Sequence, residues 1–298
     1  MNDLSYQSIQ IRDIELGRDI YLAAHMHMIT PCKLDPGCKF CSLSSKIDSI
    51  SAERDVLTME EIIKYVKLII KNKEIMSIIL VGGSDLKGHD ALILDIVRNI
   101  RKISDIDLAI DIGAPLTIDT LKTLKENNVN TIYSSIETIN PKRFADAEPG
   151  NDLNLRIKLL DDIESLGMNI GTIIMNMGIE KDVIDSINFL RNYTRLKYLY
   201  FSTFMPVKGT PWEKKRKAEV SDSIRYIEFS RAVLPNVHIA LADVEIEAGS
   251  ISDWILKELN YGAGNTLAGM LIYKHITKNY IKNMKMLEKF GYNIVKRN

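Results

Sequence analysis

The sequence predicts an α/β fold, a single (β/α)8 TIM-type barrel, on three observations. Continuous apolar runs alternate with amphipathic stretches, the alternation can be counted eight times, and no Pro- or Ser-rich linker or low-complexity tract divides the 298 residues. Apolar runs without a strict in–out alternation mark strands buried on both faces, as in parallel sheets covered by helices. Eight such units suit a closed barrel better than an open doubly wound sheet, and barrels of this kind fill a chain of this length as one domain. Residues 1–298 therefore read as one domain, with a last barrel unit from about 236 to 298.

The elements follow in order. "IYLAAHMHMI" (Ile20 to Ile29) is the first strand and runs directly into a cysteine-bearing loop, 31–42. "TMEEIIKYVKLIIKN" is a helix: Thr58 is its N-cap, Glu61 completes a capping box, and apolar positions recur at helical spacing. "IMSIILVGG" (Ile75 to Gly83) is the second strand, "DALILDIVRNIRKI" a helix, and "DLAIDIG" (Asp107 to Gly113) the third strand. "TIDTLKTLKENN" is helical, and "NTIYSSIE" (Asn130 to Glu137) is the fourth strand. The second half places strands at Met168 to Met175, Lys197 to Met205, Val237 to Asp243 and Gly264 to Met270, with "KNYIKNMKMLEKFG" as the last helix. The eighth strand carries the weakest pattern.

Composition narrows the function classes. Hydrophobic residues are 46% and charged residues 26% of the chain, the usual balance of a globular protein with a substantial core. Acidic and basic residues number 39 each, so no overall field draws the chain to nucleic acid or an anionic membrane. The run "EKKRK" (Glu213 to Lys217) reads as a solvated loop. An N-terminus with early charges and no apolar core is not a signal peptide, and no apolar run is long enough to cross a bilayer. With three clustered cysteines, the expectation is a cytoplasmic, reducing home.

Those cysteines, Cys32, Cys38 and Cys41, are the only ones and lie within "PCKLDPGCKFC". An odd count argues against a disulfide framework. Buried filler is a poor account, because Asp35-Pro36-Gly37 is turn chemistry. Zinc held by three thiolates with His25 or His27 remains open. So does a cubane iron–sulfur cluster with one iron lacking a protein thiolate, since such clusters are normally ligated by four.

Cys38-Lys39-Phe40-Cys41 resembles the C-x-aromatic-C end of the cysteine motif of radical S-adenosylmethionine (SAM) enzymes, although five residues separate the first two cysteines where three are usual. Other segments are similar to the biotin synthase-like group of that superfamily, in the same order, from about Tyr21 to Asn293. "VGGSD" resembles its Gly-Gly-Glu segment, which implies that Gly82, Gly83 and Ser84 meet the methionyl amine, with Ser84 where an acid is usual. "SSIET" implies Glu137 as an acceptor for ribose or amine, and Arg156 as the grip on the methionyl carboxylate, a task suited to a planar guanidinium. "TIIMNMGIE" implies an adenine edge at Met175, and "FMPVKGTPWE" implies purine contacts from Met205 and Val207.

The resemblance implies a [4Fe-4S] cluster on Cys32, Cys38 and Cys41, SAM as cofactor, reductive cleavage to a 5′-deoxyadenosyl radical, a small-molecule substrate, and an electron donor. No cysteine remains for a second cluster, so sulfur insertion by that route is not expected. The C-x5-C-x2-C spacing resembles the Hmd co-occurring protein A (HcgA) family of methanogenic archaea. That likeness implies a place in biosynthesis of the iron-guanylylpyridinol (FeGP) cofactor of [Fe]-hydrogenase, with a pyridinol-related substrate. Candidate lumen residues are His27, Asp111, Asp243 and Glu245, each of which singly is more simply a structural polar group. The alternatives are a methylornithine synthase-like mutase acting on an amino acid, and a non-catalytic Fe–S or zinc protein.

Overall fold

The structure, a computed structural model, describes residues 3–41, 56–113, 115–242, 266–272, 285, 287–289 and 291–297. Eight parallel strands form its centre: β1 (Asp19–Met26), β2 (Ile75–Val81), β3 (Asp107–Asp111), β4 (Val129–Tyr133), β5 (Asn169–Asn176), β6 (Leu196–Thr203), β7 (His238–Ala242) and β8 (Thr266–Ile272). Their order is β7-β6-β5-β4-β3-β2-β1-β8, so each strand pairs with its neighbour in sequence and the eighth returns beside the first. The sheet curls as a TIM-type barrel does. β7 and β8 approach one another, and no ladder joins them among the described residues.

All eight expected strands are present, the eighth included, with ends shifted by a few residues. Between them lie α2 (Met59–Ile69), α3 (Asp90–Arg101), α4 (Ile118–Glu126), α5 (Pro141–Ala147), α6 (Leu153–Ser165), α7 (Glu180–Leu190) and α8 (Val220–Val233). The Thr58–Glu61 capping box forms in both directions. Outward strand residues such as Leu22, Ile78, Leu108 and Phe201 join helix residues such as Ile62, Val97 and Leu124 in the main core. A second, smaller cluster of Ala23, Ile79, Ala109, Tyr133, Tyr200 and Ala240 gathers the alternate strand positions and fills the floor of the barrel. There Gly171 lies beneath Tyr133, and a Cβ at that glycine would sit 2.4 Å from the tyrosine ring.

Three elements have no counterpart in the sequence expectation: α1 (Asp3–Glu15), the short α5, and β9 (Asn293–Ile294), which pairs with the start of β1. α1 buries Ser5, Ser8 and Arg12 while Leu4, Tyr6 and Ile14 stay exposed, so it lacks an apolar stripe facing inward. Its buried face is held by polar contacts instead. The Ser5 hydroxyl donates to the Glu228 carboxylate of α8, Ser8 donates to the Glu228 carbonyl at 3.2 Å, and Arg12 lies 5.3 Å over the Tyr292 ring. The expected last helix falls mostly outside the described residues. Among the described residues no helix is long and apolar enough to cross a membrane.

Candidate active site

The cysteine loop is fixed on two sides at the C-terminal mouth of the barrel. On one side the chain leaving β1 extends the ladder along the end of β2. Ile29 N donates to Val81 O at 3.1 Å, Gly83 N to Thr30 O at 2.9 Å, and Lys33 N to Ser84 O at 2.7 Å. This approach explains Gly82-Gly83 from within the chain. A Cβ at Gly82 would stand 2.0 Å from Thr30 Oγ1, and one at Gly83 would stand 2.3 Å from Cys32 N.

On the other side Lys39 N donates to Ala147 O at 2.8 Å, Trp212 N donates to Lys39 O at 3.1 Å, and Gly150 admits the Pro36 carbonyl. Phe40 stacks obliquely on Trp212 at 6.1 Å, and an apolar cluster of Ala147, Met175, Phe204, Trp212 and Ala218 lies beneath it.

Cys32, Cys38 and Cys41 are free thiols, each half-buried. Burial, Glu148 and the neighbouring Cys41 and Cys32 push the Cys38 thiol up, while Arg156 pulls it down, so the three sulfurs share one field. Among the described residues no three His, Cys, Asp or Glu side chains gather tightly enough for a single ion. Tetrahedral zinc would need sulfurs about 3.8 Å apart, from Zn–S bonds near 2.3 Å. The His25 and His27 rings stay 5.6 Å from each other at the end of β1. Three thiols on one loop suit a multi-iron centre that takes thiolate ligands.

Beside the loop the mouth collects buried charge. Arg156 of α6 is 6% exposed, and its Nη2 lies 3.5 Å from Glu148 Oε2. Its Nε and Nη1 have no partner. Glu137, after β4, holds φ at +54°, a conformation that costs a non-glycine residue about 1 kcal/mol or more. Its backbone is locked to β5, accepting from Met175 N at 2.8 Å and donating to Ile173 O at 2.9 Å, whereas its Oε2 is buried and unpartnered.

Burial, then Glu148 and Asp111, push the Glu137 carboxyl far above its ordinary value against the pull of Arg156. Asp111, at the end of β3, is pushed up to about 6 by burial, again opposed by Arg156. Gly113, at φ +58°, brings Ser84 Oγ and the Arg156 guanidinium together, since a Cβ there would meet both within 3.2 Å. An unpaired N–H and an unpaired carboxyl oxygen in one buried mouth form a receptor for a ligand that bears both a carboxylate and an amine or hydroxyl. These orphaned atoms, next to three thiols, fit a cluster with a chelated amino-acid-bearing nucleotide.

The structure thus brings Cys32, Cys38, Cys41, Gly82, Gly83, Ser84, Glu137, Arg156 and Asp111 to one end of the barrel. Met175 sits at the edge of that mouth, but its side chain packs into the apolar cluster under Trp212. Met205 and Val207 are half-buried after β6, and Val207 O accepts from Thr210 N at 3.1 Å and Thr210 Oγ1 at 2.7 Å. His27 is half-buried, and its proton affinity is lowered by burial. Asp243 and Glu245 lie outside the described residues. Sequence reasoning missed Glu148, Gly113, Gly150 and Trp212. Glu148 sits in "AEPG", where nothing local marks a buried partner for Arg156.

Residues 28–190, more than half the chain, match the family model described as "Radical SAM superfamily". An uncharacterized protein of Methanocaldococcus jannaschii is 22% identical over 77% of this chain, which spans 61% of that protein's length. A biotin synthase of Methanococcus maripaludis is 25% identical over 86% of this chain and 78% of its own. Among solved structures, methylornithine synthase superposes with a TM-score of 0.84 at 19% identity, covering 98% of this chain and 88% of that one. The FeFe-hydrogenase maturase HydG from Carboxydothermus hydrogenoformans gives 0.81 at 17% identity, with 97% of this chain and 70% of that one covered.

Proposed function

Because the chain belongs to the radical SAM superfamily, and is an enzyme of that class, we propose that it acts in biosynthesis of the iron-guanylylpyridinol cofactor of [Fe]-hydrogenase, as one catalytic domain. Cys32, Cys38 and Cys41 would hold a [4Fe-4S] cluster, and the residues of the mouth would bind SAM. When bound, the two supply reductive cleavage of the SAM C5′–S bond to methionine and a 5′-deoxyadenosyl radical. The chain's own residues bind and orient. Arg156 offers its two free N–H edges to the methionyl carboxylate, and Glu137 accepts from the ribose or amine. Gly82, Gly83 and Ser84 set the wall on the methionyl amine side, while Met175, Met205 and Val207 border the adenine. The cluster of Ala23, Ile79, Ala109, Tyr133, Tyr200 and Ala240 would border a substrate held in the lumen and help to keep water from it.

The observation that carries the radical SAM site is the coincidence of three thiols on one loop with a buried Arg156, ion-paired to Glu148, and a buried Glu137, each with unspent hydrogen-bonding atoms. The narrower FeGP reading rests on the C-x5-C-x2-C spacing, and a relative from a Methanocaldococcus species is consistent with it. A pyridinol-related precursor is the substrate class this reading implies.

Anaerobic reconstitution with iron and sulfide tests the site. The wild-type protein is expected to turn brown and, with dithionite and SAM, to form 5′-deoxyadenosine. Cys32→Ala, Cys38→Ala and Cys41→Ala are each expected to abolish the cubane signal. A full cluster in any one of them, or a colourless wild type, would sink the assignment. Conversion of an amino acid instead of a pyridinol-related precursor would favour the mutase alternative.

A further inference from the structure

We propose that the exposed basic segment from Lys208 to Lys217, with Lys39, is the docking surface for a small acidic one-electron carrier protein. The proposal rests on the reading of Cys32, Cys38 and Cys41 as cluster ligands, because it concerns how an electron reaches them. The chain as a whole is neutral, yet this ten-residue stretch holds Lys208, Lys214, Lys215, Arg216 and Lys217 against the single acid Glu213. All five basic side chains are exposed. Crowded like charges of this kind repel by about 0.5 kcal/mol per neighbouring pair in water. An anionic partner relieves that repulsion.

The position of the segment separates it from an ordinary solvated loop. Trp212 is buried, donates from its backbone to the carbonyl of Lys39 at 3.1 Å, and packs on Phe40; both Lys39 and Phe40 lie between Cys38 and Cys41. Lys215 Nζ lies 3.4 Å from the centre of the Trp212 ring and 3.3 Å from Asp146 Oδ2. The other Asp146 oxygen takes Lys39 Nζ at 2.6 Å. The basic run is therefore pinned to the backbone that presents two of the three thiols.

Within it the charges are unequally used. Lys215 is held by Asp146, and Arg216 lies 3.7 Å from Glu219. Lys208, Lys214 and Lys217 make no ion pair among the described residues, and their charge remains available to a partner. Electron-transfer encounters use small interfaces in which complementary charge raises the association rate far more than it deepens the affinity. A short basic rim at the edge of a half-exposed cysteine loop fits that need. One electron leaves the carrier, which is oxidised by one electron, and the centre on the cysteines is reduced by one. No atom changes hands.

The probe is a recombinant flavodoxin of net negative charge, titrated into the cluster-free and the reconstituted full-length protein by calorimetry. With wild type, binding is expected at low ionic strength and should weaken steeply toward about 0.15 M salt. The K214E/K217E double variant is expected to bind roughly tenfold more weakly at low salt and to reduce its cluster correspondingly more slowly with reduced flavodoxin. Its dithionite-driven formation of 5′-deoxyadenosine should match wild type. Lys122→Glu, on the exposed face of α4, is expected to leave flavodoxin binding unchanged. Should K214E/K217E not fold, K214Q/K217Q serves in its place, with a smaller loss of the same kind.

Undiminished binding by the double variant overturns the proposal. So does an equal loss in Lys122→Glu, or preferential binding of an RNA oligomer that flavodoxin cannot displace. A wild-type protein that assembles no cluster, or forms no 5′-deoxyadenosine with dithionite, instead defeats the reading on which the proposal stands, whatever the calorimeter shows.

Discussion

Inside the barrel, Ala23, Ala109 and Ala240 pack with Tyr133 and Tyr200, while Gly171 leaves room for the Tyr133 ring. At the mouth, Arg156, Glu137, Glu148 and Asp111 crowd together with N–H and carboxyl groups unspent. Apolar packing of this kind contributes to stability in the bare chain. A mouth that does not satisfy itself costs stability until a ligand completes it, and this asymmetry separates the part that holds the fold from the part that does chemistry.

The comparison is broken most severely by Arg156→Leu. Loss of the guanidinium leaves Glu148 with Asn151 as its donor but without its ion-pair partner, at a cost of about 3–5 kcal/mol. A lowered urea midpoint and loss of SAM binding in equilibrium dialysis are both expected; a variant that still binds SAM normally would remove Arg156 from the site.

Gly171→Ala probes the other end. A Cβ there must displace the Tyr133 ring, at a cost of about 1–3 kcal/mol. Wherever the variant is folded it should bind SAM as wild type does, and parallel loss of stability and SAM affinity would show that the two ends are coupled.

The smallest effect belongs to Asp111→Asn. The folded-state value of Asp111 is raised from 3.8 to about 6, so the folded protein holds this proton more tightly than the unfolded chain. Stability is then highest below 3.8, falls as pH rises toward about 6, and is level above. After allowance for the part-exposed side chain, the fall is about 1 kcal/mol. The ratio of unfolding midpoints at the two ends of that window checks it, since the Asn variant should lose this part of the slope.

The strands were legible because parallel strands buried on both faces write themselves as unbroken apolar runs, and the helix α2 because its cap and its stripe agree. α1 was not, since it turns Ser5, Ser8 and Arg12 inward and leaves Ile14 79% exposed, which inverts the pattern that marks a buried helix face. At the site, the cysteine triplet, the glycine pair, Glu137 and Arg156 stood out as motifs. Glu148 did not, because its meaning is electrostatic and exists only where α5 brings it beside Arg156. The sequence did not show that the lack of a Cβ at Gly82 and Gly83 also makes room for the chain's own cysteine loop.

The order of residues alone determined the eight-fold rhythm, the thiol loop after the first strand and the residue types at the mouth, because periodicity and short motifs are local properties of a chain. Only the folded barrel decided that Glu148 meets Arg156, that Trp212 clamps Lys39, and that atoms of Glu137 and Arg156 stay unpaired. Burial and field are sums over neighbours distant in sequence, and they acquire values only once those neighbours are in place.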